Sequence, residues 1–144
     1  MSTHALIFDL DGVLADTLQL HKQSWQHLAG RYGRTITQAD FDRWRGWPRR
    51  ECLMDLFEQE NLDADETDHR LEIKNQHYLS SLRQTSADDL MLPGVRQIFE
   101  QASHFKLKLG VASASLNAVE VLERLELLPN LLAVADGSTV SRPK

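Results

Sequence analysis

The sequence predicts an α/β fold in which a parallel-sheet core is interrupted by an α-helical insertion. The chain opens on Ala5-Leu6-Ile7-Phe8, an apolar run that turns acidic at Asp9-Leu10-Asp11 and ends in Gly12. That is the pattern of a strand buried on both faces of a parallel sheet. From Thr17 the apolar period becomes helical, and strand–helix alternation returns only after Ala87-Asp88. We therefore expect a core of residues 1–15 and 89–144 and a helical insertion of residues 16–88.

The elements can be justified in order. Residues 5–10 form the first expected strand. Leu18, His21, Trp25, Leu28, Ala29 and Tyr32 then share one helical face, and Gly33 offers a left-handed stop. Thr37 with Asp40 has capping-box spacing ahead of Phe41 and Trp44, and Pro48 suits the first turn of a helix running to about Glu60. Asp65-Glu66 opens a third helix acid-first, with Leu71, Tyr78 and Leu82 on a common face until Ser86-Ala87-Asp88. Pro93-Gly94 begins a helix carrying Val95, Ile98, Phe99 and Ala102. Residues 107–112 read as the second strand, residues 117–127 as a helix, and residues 132–135 as the third strand.

Composition narrows the function. Lys and Arg number 16 against 21 Asp and Glu, a net charge of −5 with no basic run, which argues against a nucleic-acid binder. No stretch approaches a membrane span and the start carries no basic leader, so we expect a cytoplasmic protein with no membrane partner. Cys52 is the only cysteine, so it closes no internal disulfide and offers no thiolate zinc pattern; a small residue on a helix is its expected role.

Asp9 and Asp11 lie two apart at a strand end, where an open parallel sheet places its ligands. Close carboxylates repel unless a cation or phosphate gives them distinct roles, one attacking phosphorus and the other delivering a proton to the leaving oxygen. A simple Asp-x-Asp-Gly turn would use the same residues. Ser113-Ala114-Ser115 after the second strand offers hydroxyls and backbone N–H groups ahead of a helix near Asn117, which suits an anion, although small residues are also ordinary turn material. Taken alone, Arg49 is one of three arginines in a short solvated stretch, His21 is a boundary histidine on an amphipathic face, and Trp25, Trp44 and Trp47 are packing residues.

The full string Phe8-Asp9-Leu10-Asp11-Gly12-Val13-Leu14-Ala15-Asp16-Thr17 resembles the first motif of the haloacid dehalogenase superfamily of phosphotransferases. The later segments look like its β-phosphoglucomutase branch: His21 and Trp25, Gly46 to Arg49, Lys74-Asn75 and Tyr78, Leu92-Pro93-Gly94, and Val111 to Ser115. The resemblance implies a haloacid dehalogenase-like Rossmannoid core with an inserted α-helical cap. It also implies a Mg²⁺-dependent enzyme that interconverts β-glucose 1-phosphate and glucose 6-phosphate through a phosphoaspartate. By the same resemblance Asp9 is nucleophile and magnesium ligand, and Asp11 is general acid/base with its carbonyl on magnesium. Ser113 and Ala114 grip the transferring phosphoryl group, and Arg49 holds the distal phosphate with Ser115 and Asn117. His21 supports Asp11, Lys74 touches the sugar, and Gly46 and Trp25 belong to the substrate side.

Two positions depart from the pattern: Ala15 replaces a frequent threonine, and Leu116 stands where sugar mutases carry a lysine. A sugar-phosphate phosphatase is therefore the alternative enzyme, and a catalytically silent remnant the alternative outside enzymes. Residues 136–144 resemble the approach to the family's lysine loop, with Lys144 on the lysine that neutralises nucleophile and phosphate. The remaining third of the family fold, including an acidic magnesium loop, is not in this sequence. The first strand is then expected to be an apolar edge open to self-association.

Overall fold

A computed structural model describes residues 4–139. The chain divides into two units, one running to Leu18 and resuming at Leu82, the other spanning Gln19–Ser81.

The first unit is built on a parallel sheet of order β1-β2-β3, formed by Ala5–Phe8, Lys108–Ala112 and Ala133–Ala135. In register, Leu6 pairs with Leu109 and Phe8 with Val111, so these four side chains share a face. Helix α6, Val95–His104, covers that face, with Phe99 stacked on Phe8 at 5.8 Å. The expectation that β1 is buried on both faces is corrected, since Ile7 is 75% exposed; β1 is an edge strand among the described residues, as expected. Ile7 belongs with Ala5, Gly110, Ala112, Ala133 and Ala135 to the sheet's second face, where none of these residues is buried. β1 also stops two residues early. Gly12, at φ 77°, lets the chain turn back so that the N–H groups of Val13, Leu14 and Ala15 all reach the Leu10 carbonyl.

The chain leaves and re-enters this unit along one short ladder. Asp16 N–H donates to the Leu90 carbonyl at 2.8 Å and Leu92 N–H to that of Leu14 at 3.1 Å, with Leu14, Ala15 and Leu90 buried. Ser86-Ala87-Asp88 is more than a helix end, because the Ser86 hydroxyl caps a further turn, α5 (Ala87–Leu90). Helix α7, Ala118–Arg124, is shorter than expected. Glu126, at φ 60°, ends the helical run, and a 3-10 turn, Leu128–Asn130, leads to β3.

The second unit holds helix α1 (Leu18–Arg31), α2 (Gln38–Arg43), α3 (Arg49–Leu56) and most of α4 (Ala64–Gln84). Gly33, at φ 66°, closes α1 in a Schellman arrangement, with Arg34 N–H on the Ala29 carbonyl and Gly33 N–H on that of Gly30. The Thr37–Asp40 capping box is formed, each residue's side chain taking the other's N–H. Trp25, Leu28, Ile36, Trp44, Leu53, Phe57 and Leu71 make the core, and Cys52 is buried with them, its thiol pushed up to about 11 by desolvation. Leu18 stands 59% exposed, off the face expected of it. No helix among the described residues is long and apolar enough to cross a membrane.

Arg70 binds α4 to this core. Its nearly buried guanidinium lies 4.0 Å from the Tyr32 ring and 4.2 Å from the Phe57 ring, and pairs with Glu60 at 2.9 Å and Glu66 at 2.7 Å. Removing it leaves two half-exposed carboxylates and two ring faces uncovered. Arg70→Ala should cost ~2–3 kcal/mol, between the exposed and buried limits for ion pairs. Arg70→Lys should recover part of that loss by keeping the charge but not the fork. Urea midpoints followed by fluorescence test this, since Trp25, Trp44 and Trp47 all lie in this unit.

His77 stacks on His27 at 4.2 Å, and its pKa is lowered from 6.5 by burial first and then by His27 and Lys74. A histidine depressed in the folded state stabilises the fold fully above its unfolded pKa, and loses that contribution as pH falls through the folded value. The urea midpoint should therefore fall from pH 7.5 toward pH 5, and His77→Gln should flatten that slope. An equal slope in both proteins would remove His77 as the cause.

Candidate active site

The sheet gathers one set of the expected residues. Asp9 and Asp11 follow β1, and Ser113 to Asn117 follow β2, so the parallel pairing brings both segments to the same end of the sheet. Asp9 is exposed and Asp11 half-buried. Neither lies within β1, so the turn at Gly12 rather than strand pleat places Asp11. Thr17, itself buried, donates its hydroxyl to Asp11 Oδ1 at 2.6 Å, and Ser113 Oγ stands 3.5 Å from Asp11 Oδ2. Thr17 belongs to the quoted motif, yet the sequence alone assigns it no role. Its signal is a hydroxyl just beyond the Gly12 turn, where the chain doubles back toward Asp11.

The segment after β2 is held by its own backbone. Ser113 Oγ accepts the Ser115 N–H at 3.0 Å, and Ser115 Oγ accepts the Asn117 N–H at 3.1 Å. Each hydroxyl thus spends a lone pair inward and keeps a proton to donate. Ser113 and Asn117 are buried, Ser115 is half-buried and Ala114 is exposed. Asn117 is the N-cap residue of α7 but makes no side-chain cap bond.

The second unit gathers another set. Lys74, 6% exposed, places Nζ 3.1 Å from His21 Nδ1, 5.5 Å from the Trp25 ring and 5.1 Å from the Tyr78 ring. His21 stacks on Tyr78 at 4.5 Å. Trp25 is buried, as a packing residue would be. Gly46, at φ 83°, and Arg49, the first residue of α3, are both exposed on the segment entering that helix. Lys144 lies outside the described residues.

Among the described residues no three His, Cys, Asp or Glu side chains converge as a metal cluster. The donors expected from the resemblance, the Asp9 carboxylate and the Asp11 carbonyl, are hard oxygens. They suit an ion that takes one or two protein carboxylates and completes its shell with water and substrate phosphate.

The chain is 31% identical to the beta-phosphoglucomutase of Bacillus subtilis over 97% of its own length and 63% of the relative's. It is 32% identical to the phosphorylated carbohydrates phosphatase of Thermotoga maritima, over 97% of this chain and 64% of that one. The crystal structure of beta-phosphoglucomutase from Clostridium difficile superposes with a TM-score of 0.86 at 30% identity, covering 99% of this chain and 66% of the other. The chain thus spans somewhat under two thirds of the length of these relatives. A family model for haloacid dehalogenase-like hydrolases matches residues 6–144, and the chain belongs to that family.

Proposed function

We propose that this chain carries the nucleophile and the phosphate grip of a phosphotransferase acting on sugar phosphates. The observation that supports it most is the Asp11 carboxylate, held on one oxygen by Thr17 and close to Ser113 on the other, at the sheet end that also carries Asp9. In the proposed reaction an Asp9 carboxylate oxygen attacks phosphorus. The bond from phosphorus to the sugar oxygen breaks, and an aspartyl phosphate forms. Asp11 supplies the proton that the departing oxygen needs. We assign that proton to Oδ2, because Oδ1 accepts from Thr17 at 2.6 Å whereas the Ser113 hydroxyl stands 3.5 Å from Oδ2. The Ser113 and Ser115 hydroxyls, oriented by the N–H groups they accept, donate to the phosphoryl oxygens.

Magnesium fits the Asp9 carboxylate and Asp11 carbonyl, and bound there it would offset the charge of carboxylate and phosphate as they approach. From the helical unit, Arg49 is the proposed anchor for a distal phosphate, its planar fork matching two phosphate oxygens. His21, Lys74, Gly46 and Trp25 are the proposed contacts to the sugar side, and Lys144 the proposed counter-charge at the nucleophile.

The finer reading is a mutase that returns the phosphoryl group to the sugar, as in the Bacillus relative. The phosphatase reading, in which water takes it, is favoured by the equally similar Thermotoga relative and by Leu116, which leaves one expected cation missing.

Incubation with a sugar bisphosphate and Mg²⁺ should give a covalent phosphate adduct, detected by intact mass. Asp9→Asn should abolish the adduct and cut turnover by ~10³-fold or more, the scale of losing a nucleophile. An adduct retained in Asp9→Asn would end the assignment. Arg49→Ala should raise KM for a hexose phosphate by ~10–100-fold, the worth of a charged hydrogen-bond pair, while leaving acetyl phosphate little changed. Equal losses on both substrates would place Arg49 in folding instead.

A further inference from the structure

Against the Ser113–Ser115 segment lies a second turn, at the start of the lysine-loop approach, that the proposed mechanism does not use. Asp136 follows β3 and is 6% exposed. Its Oδ1 accepts the Ser138 N–H at 2.9 Å, the Ser138 hydroxyl at 2.6 Å and the Thr139 N–H at 3.1 Å. Thr139 closes the other side, its Oγ1 accepting the Asp136 N–H at 2.7 Å and donating to the Asp136 carbonyl at 3.0 Å. These donors, the Ser138 hydroxyl foremost, hold the carboxyl below its ordinary pKa.

The turn bears directly on the segment after β2. Ser113 N–H donates to the Ala135 carbonyl at 2.8 Å, and Gly137 N–H donates to the Ser115 carbonyl at 3.1 Å. Between these two bonds Gly137 lies so close that a Cβ on it would come within 2.5 Å of the Ala114 carbonyl oxygen and 3.0 Å of Leu116 Cδ2. Residues 135–137 therefore grip residues 113–115 from behind, backbone against backbone, and no flexible side chain is available to absorb a shift at Ala114.

We propose that Asp136 and Gly137 are positioning residues for the phosphate grip, setting where the Ser113 and Ser115 hydroxyls stand. This rests on the reading that those hydroxyls hold phosphate. Asp136→Ala removes the acceptor that shapes the turn, and Gly137→Ala drives a methyl against the Ala114 carbonyl. Asp136→Asn keeps an amide oxygen for the Ser138 and Thr139 N–H groups.

The test uses the whole chain, inorganic phosphate as probe, and amide exchange followed by NMR. Asp136→Ala and Gly137→Ala should each weaken phosphate binding and speed exchange of the residue-137 amide by ~10-fold, about the worth of one or two hydrogen bonds, with Asp136→Asn close to wild type. Unchanged phosphate affinity and unchanged Gly137 exchange in Asp136→Ala would overturn the proposal. So would equal losses in Asp136→Asn and Asp136→Ala. If Asp136→Ala fails to fold, Gly137→Ala at matched thermal midpoint decides the same question. A wild-type chain that binds no phosphate would overturn the phosphotransferase reading, and exchange of the residue-137 amide in the variants would then decide the positioning claim alone.

Discussion

The parallel pairing of β1 with β2 is the constraint on which the rest of the site depends. Asp11 and Ser113 are 102 residues apart in the chain, yet their side chains come within 3.5 Å of each other because Phe8 is opposite Val111. A slip of one residue would turn Leu6 and Phe8 away from α6 and carry Asp9 and Asp11 out of step with the serines. Apolar contact enforces the register: Phe8 stacks on Phe99, and the buried Leu109 and Val111 share their face. Polar chemistry at the sheet end is thus located by hydrophobic packing beneath it.

Much of this is legible in the sequence, for identifiable reasons. The Thr37–Asp40 box, the stop at Gly33 and the return to strand at residue 108 arise from local rules: a hydroxyl three residues ahead of a carboxylate, a glycine where φ is positive, an apolar run bounded by turn residues. The failures are equally physical. β1 reads as doubly buried because burial is inferred from its own side chains, whereas exposure depends on what lies across each face and edge. Leu18 fits the helical period but sits at the first residue of α1, where periodicity does not decide burial. The hydrogen bonds of Thr17 and Asp136 are not legible from residue spacing, because each is made across or within a turn whose geometry the spacing alone does not reveal.

The helical unit solves a different problem. Its core is aromatic and aliphatic, but two cations, Arg70 and Lys74, are almost fully withdrawn from water within it. Each is met by ring faces as well as by polar partners: Tyr32 and Phe57 around Arg70, Trp25 and Tyr78 around Lys74. Aromatic quadrupoles compensate part of the desolvation while keeping the surroundings dry. Both cations lie on α4, one turn apart, so a single helix face aligns the structural cation with the one beside His21.

The split of the sheet unit around the helical unit has a consequence for the order of folding. Gln19–Ser81 is contiguous in sequence, so its contacts, including the 53-residue separation of His21 and Lys74, close within the unit and can form while later residues are still emerging from the ribosome. β1 must instead wait for a partner strand about a hundred residues further on. A flexible loop of that length costs entropy that grows as the logarithm of its span. Once the helices have condensed, the ends of their segment are restrained and the effective loop is far shorter. The inserted helices then act as an entropic clamp for the sheet, lowering the barrier to the one pairing that brings the two aspartates to the serines.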